Sequence, residues 1–196
     1  MPTLELVAVI VTLAAVYLTT RQIIWCWPLG LVSVSLYAVV FFDAKLYADM
    51  GLQGFYFVLS IYGWWAWLRG GENHARLDVS VASWGVRFRA LAAGAVFAAI
   101  LGTLLARLTD AALPYLDSAL TSFSLVAQFL ATRKLLENWI VWIIVDIVYV
   151  GMFIYKDLHL TAALYATFLF LAAVGFTRWK GSMVSGARPS GAAGTA

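Results

Sequence analysis

The chain has 196 residues, of which 63% are hydrophobic and 12% charged, and its mean hydropathy is +0.88. Soluble domains are about half apolar and a quarter charged. A fold this small turns too much of its chain outward to bury such an excess, so a soluble enzyme is excluded and the outer solvent is lipid. A net charge of only +3 gives nucleic acid little to bind, and a single cysteine, Cys26, excludes an internal disulfide and a cysteine-based zinc set. No cofactor or metal is expected.

Stretches of roughly 18–22 residues free of internal charge predict seven transmembrane helices, at about 3–20, 23–42, 47–68, 88–106, 114–132, 138–155 and 159–177. The first is expected to stay uncleaved, because Met-Pro-Thr-Leu-Glu supplies no positive n-region. Short turns hold the charges and helix stoppers, and one longer hydrophilic connector, 69–87, separates the third and fourth spans. The fourth span presents Gly94, Ala98 and Gly102 four residues apart, a small-residue packing face. The Gly-, Ala- and Ser-rich stretch 181–196 is expected to be a disordered tail.

Lys and Arg set the orientation. With the N-terminus outside, the inner segments collect Arg21, Arg69, Arg76, Arg87, Arg89, Arg133, Lys134, Arg178, Lys180 and Arg188, and the outer side keeps Lys45, Arg107 and Lys156. That places the C-terminus in the cytoplasm.

One constant shift lays the second half of the chain over the first in an unbroken register: Trp27 meets Trp139, Tyr37 meets Tyr149, Phe41 meets Phe153, Gly63 meets Gly175 and Trp67 meets Trp179. Arg21 falls on Arg133 in the same register. The expected organisation is a first three-helix repeat at 1–68, a cytoplasmic connector and linker helix at 69–110, and a second three-helix repeat at 111–180. An odd linker helix makes the two triplets parallel, and parallel repeats place substrate sites at their interface near the midplane. The fold class is an all-α membrane protein.

Charged side chains deep in a bilayer are functional candidates, and Asp146 is the acidic residue well inside a span. At about 100° per residue, Asn138, Trp142, Asp146 and Tyr149 fall within a sector about 80° wide. The third span carries a second stripe of Gln53, Tyr56, Ser60, Trp64 and Trp67, matched on the seventh by the aromatic Tyr165, Phe168, Ala172, Phe176 and Trp179. The fifth adds Thr121, Ser124, Gln128 and Thr132. The candidate substrate-binding residues are therefore Gln53, Tyr56, Trp64, Gln128, Asn138, Trp142, Asp146 and Tyr149. Plainer roles compete with these. Trp27, Trp65 and Trp179 suit an interfacial aromatic belt, Asn138 suits a helix N-cap, and Asp146 or the glutamines suit interhelical hydrogen bonds. A carboxylate, amides and aromatic rings together fit a compact, cationic, aromatic molecule with hydrogen-bonding arms.

The stretches WPLGLVSVSLYAVVFFDAKLYADMGLQGFYFVLSIYGWWAW (27–67) and TRKLLENWIVWIIVDIVYV (132–150) resemble the PnuC family of bacterial vitamin transporters, best known for nicotinamide riboside. The most specific pieces are LYA at 46–48, Gln53, YGWWAW at 62–67 and ENWIVW at 137–142. The resemblance implies a SWEET-like arrangement of three, one and three helices in the bacterial inner membrane. It also implies facilitated diffusion, trapping of the vitamin by a cytoplasmic kinase, and homotrimers. It associates Gln53, Asn138 and Trp142 with the binding site. The pattern departs at Asp146, where nicotinamide riboside members are expected to carry asparagine. Relatives in the broader family carry thiamine, also a cation, which is the alternative substrate. Asp146 has no second carboxylate for aspartyl proteolysis, and neither an HExxH helix nor a GxSxG elbow occurs. The seventh span lacks the lysine a retinal protein needs. A structural subunit without transport is the remaining alternative of another class.

Overall fold

The computed structural model describes residues 2–43, 45, 47–109 and 113–186, and these form seven α-helices. They are α1 (Pro2–Thr20), α2 (Cys26–Asp43), α3 (Tyr47–Arg69), α4 (Trp84–Leu108), α5 (Pro114–Thr132), α6 (Glu137–Tyr155) and α7 (His159–Gly186). A single 3-10 turn, Glu72–His74, sits in the connector. All seven expected spans are helices. α4 starts four residues before the expected 88, and α7 continues to Gly186, six residues into the expected tail. Residues 187–196 of that tail, and Leu46 of the LYA motif, lie outside the described residues.

Length and hydropathy suffice for crossing a membrane in five of these helices: α1, α2, α4, α6 and α7. α3 and α5 are less apolar because they carry polar residues: Asp49, Gln53 and Ser60 on α3, and Asp117, Ser118, Ser122, Ser124 and Gln128 on α5. The polarity of α5 is turned inward. Ser118, Ser122, Ser124 and Thr132 are all buried, as a polar side chain near lipid must be. By contrast Leu6, Ile10, Val39, Phe42, Phe170 and Ile144 stand exposed, where only a hydrocarbon solvent tolerates them together.

Glycine is not what ends these helices. Gln22, Lys45, Lys134 and Asp157 follow α1, α2, α5 and α6 with φ of 56°, 59°, 49° and 57°, the left-handed conformation that closes a helix. After α1, α5 and α6 the chain is tied by Ile23 N–H to Leu18 O, Leu135 N–H to Leu130 O and Leu158 N–H to Phe153 O. Each non-glycine residue there costs about 1–2 kcal/mol, which the bonds to otherwise orphaned carbonyls offset. The four positions fall in two pairs, Gln22 with Lys134 and Lys45 with Asp157, at the offset that carries Trp27 onto Trp139.

The same offset governs the packing. α1 packs on α2, α2 on α3, α3 on α5, α5 on α6, α6 on α7, and α7 returns to α1, while α4 packs on α5. Trp67 Nε1 donates to Ala131 O at 3.0 Å, and Trp179 Nε1 donates to Thr19 O at 3.0 Å. Tyr37 stacks on Phe41 with centroids 5.8 Å apart, as Tyr149 does on Phe153. A Cβ on Gly63 would run into the Trp27 ring, and one on Gly175 would come within 2.6 Å of the Trp139 ring.

Trp27, Trp67, Trp179 and Trp139 form a chain of edge-to-face contacts, with centroids 5.3, 5.7 and 5.3 Å apart. All four are nearly inaccessible. The belt expectation for Trp27 and Trp179 is thereby corrected: Gly63 leaves room for the Trp27 indole to turn inward, and Trp179 packs between Trp67 and Trp139, whereas Trp65 remains 54% exposed. The small-residue face of α4 meets α5 as expected. A Cβ on Gly94 would sit 3.0 Å from Phe123, and one on Gly102 would sit 2.6 Å from Tyr115.

The connector is strapped across the same end of the ring. Ser80 pairs with the α5–α6 turn through Ser80 N–H to Lys134 O and Leu136 N–H to Ser80 O, and Leu77 N–H reaches Trp67 O. The Glu137 carboxylate accepts the Ala82 N–H at 3.0 and 3.1 Å and binds the Arg87 guanidinium at 2.7 Å. Bonds to a charged acceptor are worth about 1.5–3 kcal/mol when shielded, and Arg87 is one-third exposed, so Glu137→Ala is expected to cost about 1–2 kcal/mol. Limited trypsin digestion checks this, with faster cutting at Arg76 and Arg87 in the variant than in the wild type.

Candidate functional site

The nineteen residues of α6 place Asp146 at the centre of the helix, nine residues from Glu137 and nine from Tyr155. That is about 14 Å from either end, the depth of the midplane of a hydrocarbon core about 30 Å thick. Asp146 is 3% exposed, and among the described residues no hydrogen bond or ion pair reaches its carboxylate. The interhelical bond that competed with a binding role is not found there.

About one turn beyond Asp146, Tyr149 lies with its ring centroid 4.5 Å from that of Tyr165 on α7, and Phe153 is 5.1 Å from Tyr165. Ser124 on α5 lies near the hydroxyls of both Tyr56 on α3 and Tyr149. The electrostatic neighbours of Tyr165 include Tyr149, Asp146 and Tyr37 on α2. These side chains come from α2, α3, α5, α6 and α7. Of the candidate residues named from the sequence, Tyr56, Asp146 and Tyr149 belong to this group. Tyr165 and Tyr37 were absent from the expected set, although the register match of Tyr165 with Gln53 marked its position. Its stripe read as aromatic rather than polar, so the hydroxyl was overlooked.

Toward the tryptophan chain, Trp142 packs against both buried clusters of the bundle, the one holding the four indoles and the one formed by Leu120, Val145 and Met152. Asn138 is fully buried. Its Nδ2 donates to Leu135 O at 2.6 Å, while its Oδ1 has no hydrogen-bond partner among the described residues. The N-cap position belongs to Leu136, so the capping role considered for Asn138 is set aside. The indole N–H groups of Trp27 and Trp139 are also buried and unpaired.

Lys134, in the turn before α6, holds its Nζ 4.5 Å over the Trp67 ring and 3.4 Å from Gln22 Oε1. Burial holds its amine below the ordinary lysine value. Gln53 and Gln128 are half-buried, and Trp64 is 38% exposed and is not brought to the interior cluster. Trp64 and Trp67 are three residues apart and so about 60° apart on the α3 wheel, yet Trp67 is buried at 2% exposure while Trp64 stands at the open edge of the stripe.

A groove of about 820 Å³ lies elsewhere, between α4, α5 and the connector, and none of the expected site residues lines it.

A ring of apolar helices enclosing a midplane carboxylate, an unpaired amide oxygen and a tyrosine cluster defines a multi-pass membrane protein with a polar interior. Residues 2–181 match the family model for the nicotinamide mononucleotide transporter. The nicotinamide riboside transporter PnuC of Escherichia coli K12 is 29% identical over 204 aligned residues, covering 91% of this chain and 85% of the relative. The riboflavin/roseoflavin transporter RibM of Streptomyces davaonensis is 28% identical, covering 89% of this chain and 83% of that protein. The crystal structure of the vitamin B3 transporter PnuC matches with a TM-score of 0.72 and 26% identity, over 93% of this chain and 82% of that one. The chain belongs to the nicotinamide mononucleotide transporter family. Membership in a family of membrane transporters sets aside the structural-subunit alternative.

Proposed function

We propose that this protein carries nicotinamide riboside across the bacterial inner membrane by facilitated diffusion. The observation that carries the reading is the unpaired carboxylate of Asp146 at the middle of α6. A pyridinium supplies the missing positive charge, its carboxamide supplies a donor for Asn138 Oδ1, and its ribose hydroxyls find acceptors and donors in Tyr56, Tyr149 and the glutamines Gln53 and Gln128. Trp142 offers a ring face for stacking.

Two candidate substrates differ by a phosphate. No Lys or Arg occurs within 26–43, 47–68, 114–132 or 137–155, so a nucleotide phosphate would meet Asp146 without a compensating cation. That charge balance favours the riboside over the mononucleotide. Riboflavin is the second reading, favoured by the comparable identity to RibM, and thiamine remains an alternative cation.

In this reading α1–α3 and α5–α7 are parallel, SWEET-like repeats joined by α4, and they rock against each other about the midplane. The tryptophan-to-carbonyl bonds that recur in the two repeats support it. The N-terminus is outside and the C-terminus cytoplasmic, so the tryptophan chain and the connector sit on the cytoplasmic side. Phosphorylation by a cytoplasmic kinase supplies the net direction, and the carrier works as a homotrimer. Proteoliposomes preloaded with unlabelled nicotinamide riboside are expected to accumulate the labelled compound by counterflow without an ion gradient or nucleotide. Counterflow that requires a sodium or proton gradient would overturn the facilitated-diffusion assignment.

A further inference from the structure

The groove between α4 and α5 is not part of the interior site. α5 forms its floor, α4 one wall, Phe55 of α3 contributes to the other, and connector residues 80–83 close one end. Ala93, Phe97, Leu125, Val126 and Phe129 line it along α4 and α5, and Arg89 and Arg133, near the connector-side ends of those helices, line it as well.

The two arginines differ from their neighbour. Arg87 is neutralised by Glu137. Arg89 donates to Gly85 O at 3.1 Å and Arg133 to the Tyr62 hydroxyl at 3.1 Å, and among the described residues neither meets a carboxylate. Two uncompensated cations therefore stand at one end of an apolar trough. The trough also has the dimensions of one leaflet. From Ser122 to Arg133 the floor helix rises about 16 Å, against about 15 Å for half of a hydrocarbon core.

We propose that this groove binds one anionic phospholipid from the leaflet on the connector side, with an acyl chain along the α4–α5 trough and the headgroup phosphate between Arg89 and Arg133. Charge complementarity selects the headgroup, and the length of the apolar floor selects a chain rather than a soluble phosphate. The bound lipid fills the space beside α4 and ties the connector end of α4 to α5.

The test is native mass spectrometry of the detergent-purified protein with palmitoyl-oleoyl phosphatidylglycerol and the matching phosphatidylcholine at equal concentration. The wild type is expected to retain the anionic lipid at least about tenfold more strongly, as two basic groups at the membrane surface imply. Arg89→Gln with Arg133→Gln is expected to erase the preference, and Arg89→Lys with Arg133→Lys to keep it, which separates loss of charge from loss of fold. Ala93→Trp, which fills the trough, is expected to lose both lipids, and glycerol 3-phosphate is expected not to compete. Equal retention of the two lipids by the wild type would overturn the proposal. So would a preference surviving the double glutamine variant, displacement by glycerol 3-phosphate, or an Ala93→Trp protein that keeps its lipid but loses an oligomer. The last result would assign the groove to a second copy of the chain.

Discussion

Asp146→Ala is expected to weaken nicotinamide riboside binding by more than about tenfold, equivalent to about 1.4 kcal/mol, while leaving the empty protein about as stable as the wild type. The two effects have one cause. A carboxylate buried to 3% exposure without a hydrogen bond or an ion pair among the described residues is a cost to the fold. Alanine removes the buried charge, which offsets the small cavity it leaves. The same change removes the attraction for a pyridinium. Titration calorimetry reads the binding, and the thermal midpoint without ligand reads the stability. A variant that loses both binding and stability would mean that Asp146 is a structural residue, and wild-type affinity would remove it from the site.

Alanine at Gly63 or Gly175 is expected to destabilise the protein by about 1–3 kcal/mol each, the usual cost of forcing a methyl group into a closed core. At Gly175 the new Cβ meets the Trp139 ring at 2.6 Å, and at Gly63 it meets the Trp27 ring still more closely. Both indoles are edges of one chain of aromatic contacts through Trp67 and Trp179. Neither ring can yield without disturbing the bonds from Trp67 to Ala131 and from Trp179 to Thr19 that close the ring of helices. In a bilayer such packing and hydrogen bonds replace the hydrophobic effect as the force between helices. Thermal melts of each variant followed by tryptophan fluorescence check this. Because the two glycines press on the same four rings, the double variant is expected to depart from additivity. Midpoints unchanged in both single variants would show that the indoles move freely and that the tryptophan chain does not hold the ring.

Much of the architecture was legible in the sequence because lipid imposes simple demands. A helix that crosses a hydrocarbon core needs a long apolar run, and all seven runs are helices. The register of the internal repeat was equally visible, since the matched residues are large or glycine and resist chance alignment. Their burial was not. Trp27 and Trp179 lie near helix ends, where a belt residue and an inward-facing residue have the same sequence position, and only the contacts made across helices, Gly63 with Trp27 and Trp67 and Trp139 with Trp179, decide. Gln22, Lys45, Lys134 and Asp157 carried no sign of a left-handed conformation, because the usual marker for that position is glycine. The pairing of Ser80 with the α5–α6 turn and the Glu137 clamp join segments far apart in the chain, beyond what local pattern reveals. At the site, the α6 face from Asn138 to Tyr149 followed from helical spacing. Tyr165 was missed because its hydroxyl gains meaning only from contact with Tyr149.

The central claim is an interior midplane site that takes a cationic riboside through Asp146. The most direct measurement is a calorimetric titration of the purified wild-type protein with nicotinamide riboside, nicotinamide mononucleotide, thiamine and riboflavin in parallel. Saturable binding of the riboside is expected, with the mononucleotide weaker by more than about tenfold because its phosphate adds uncompensated charge beside the carboxylate. Equal or tighter binding of the mononucleotide, or binding of neutral riboflavin alone, would contradict it.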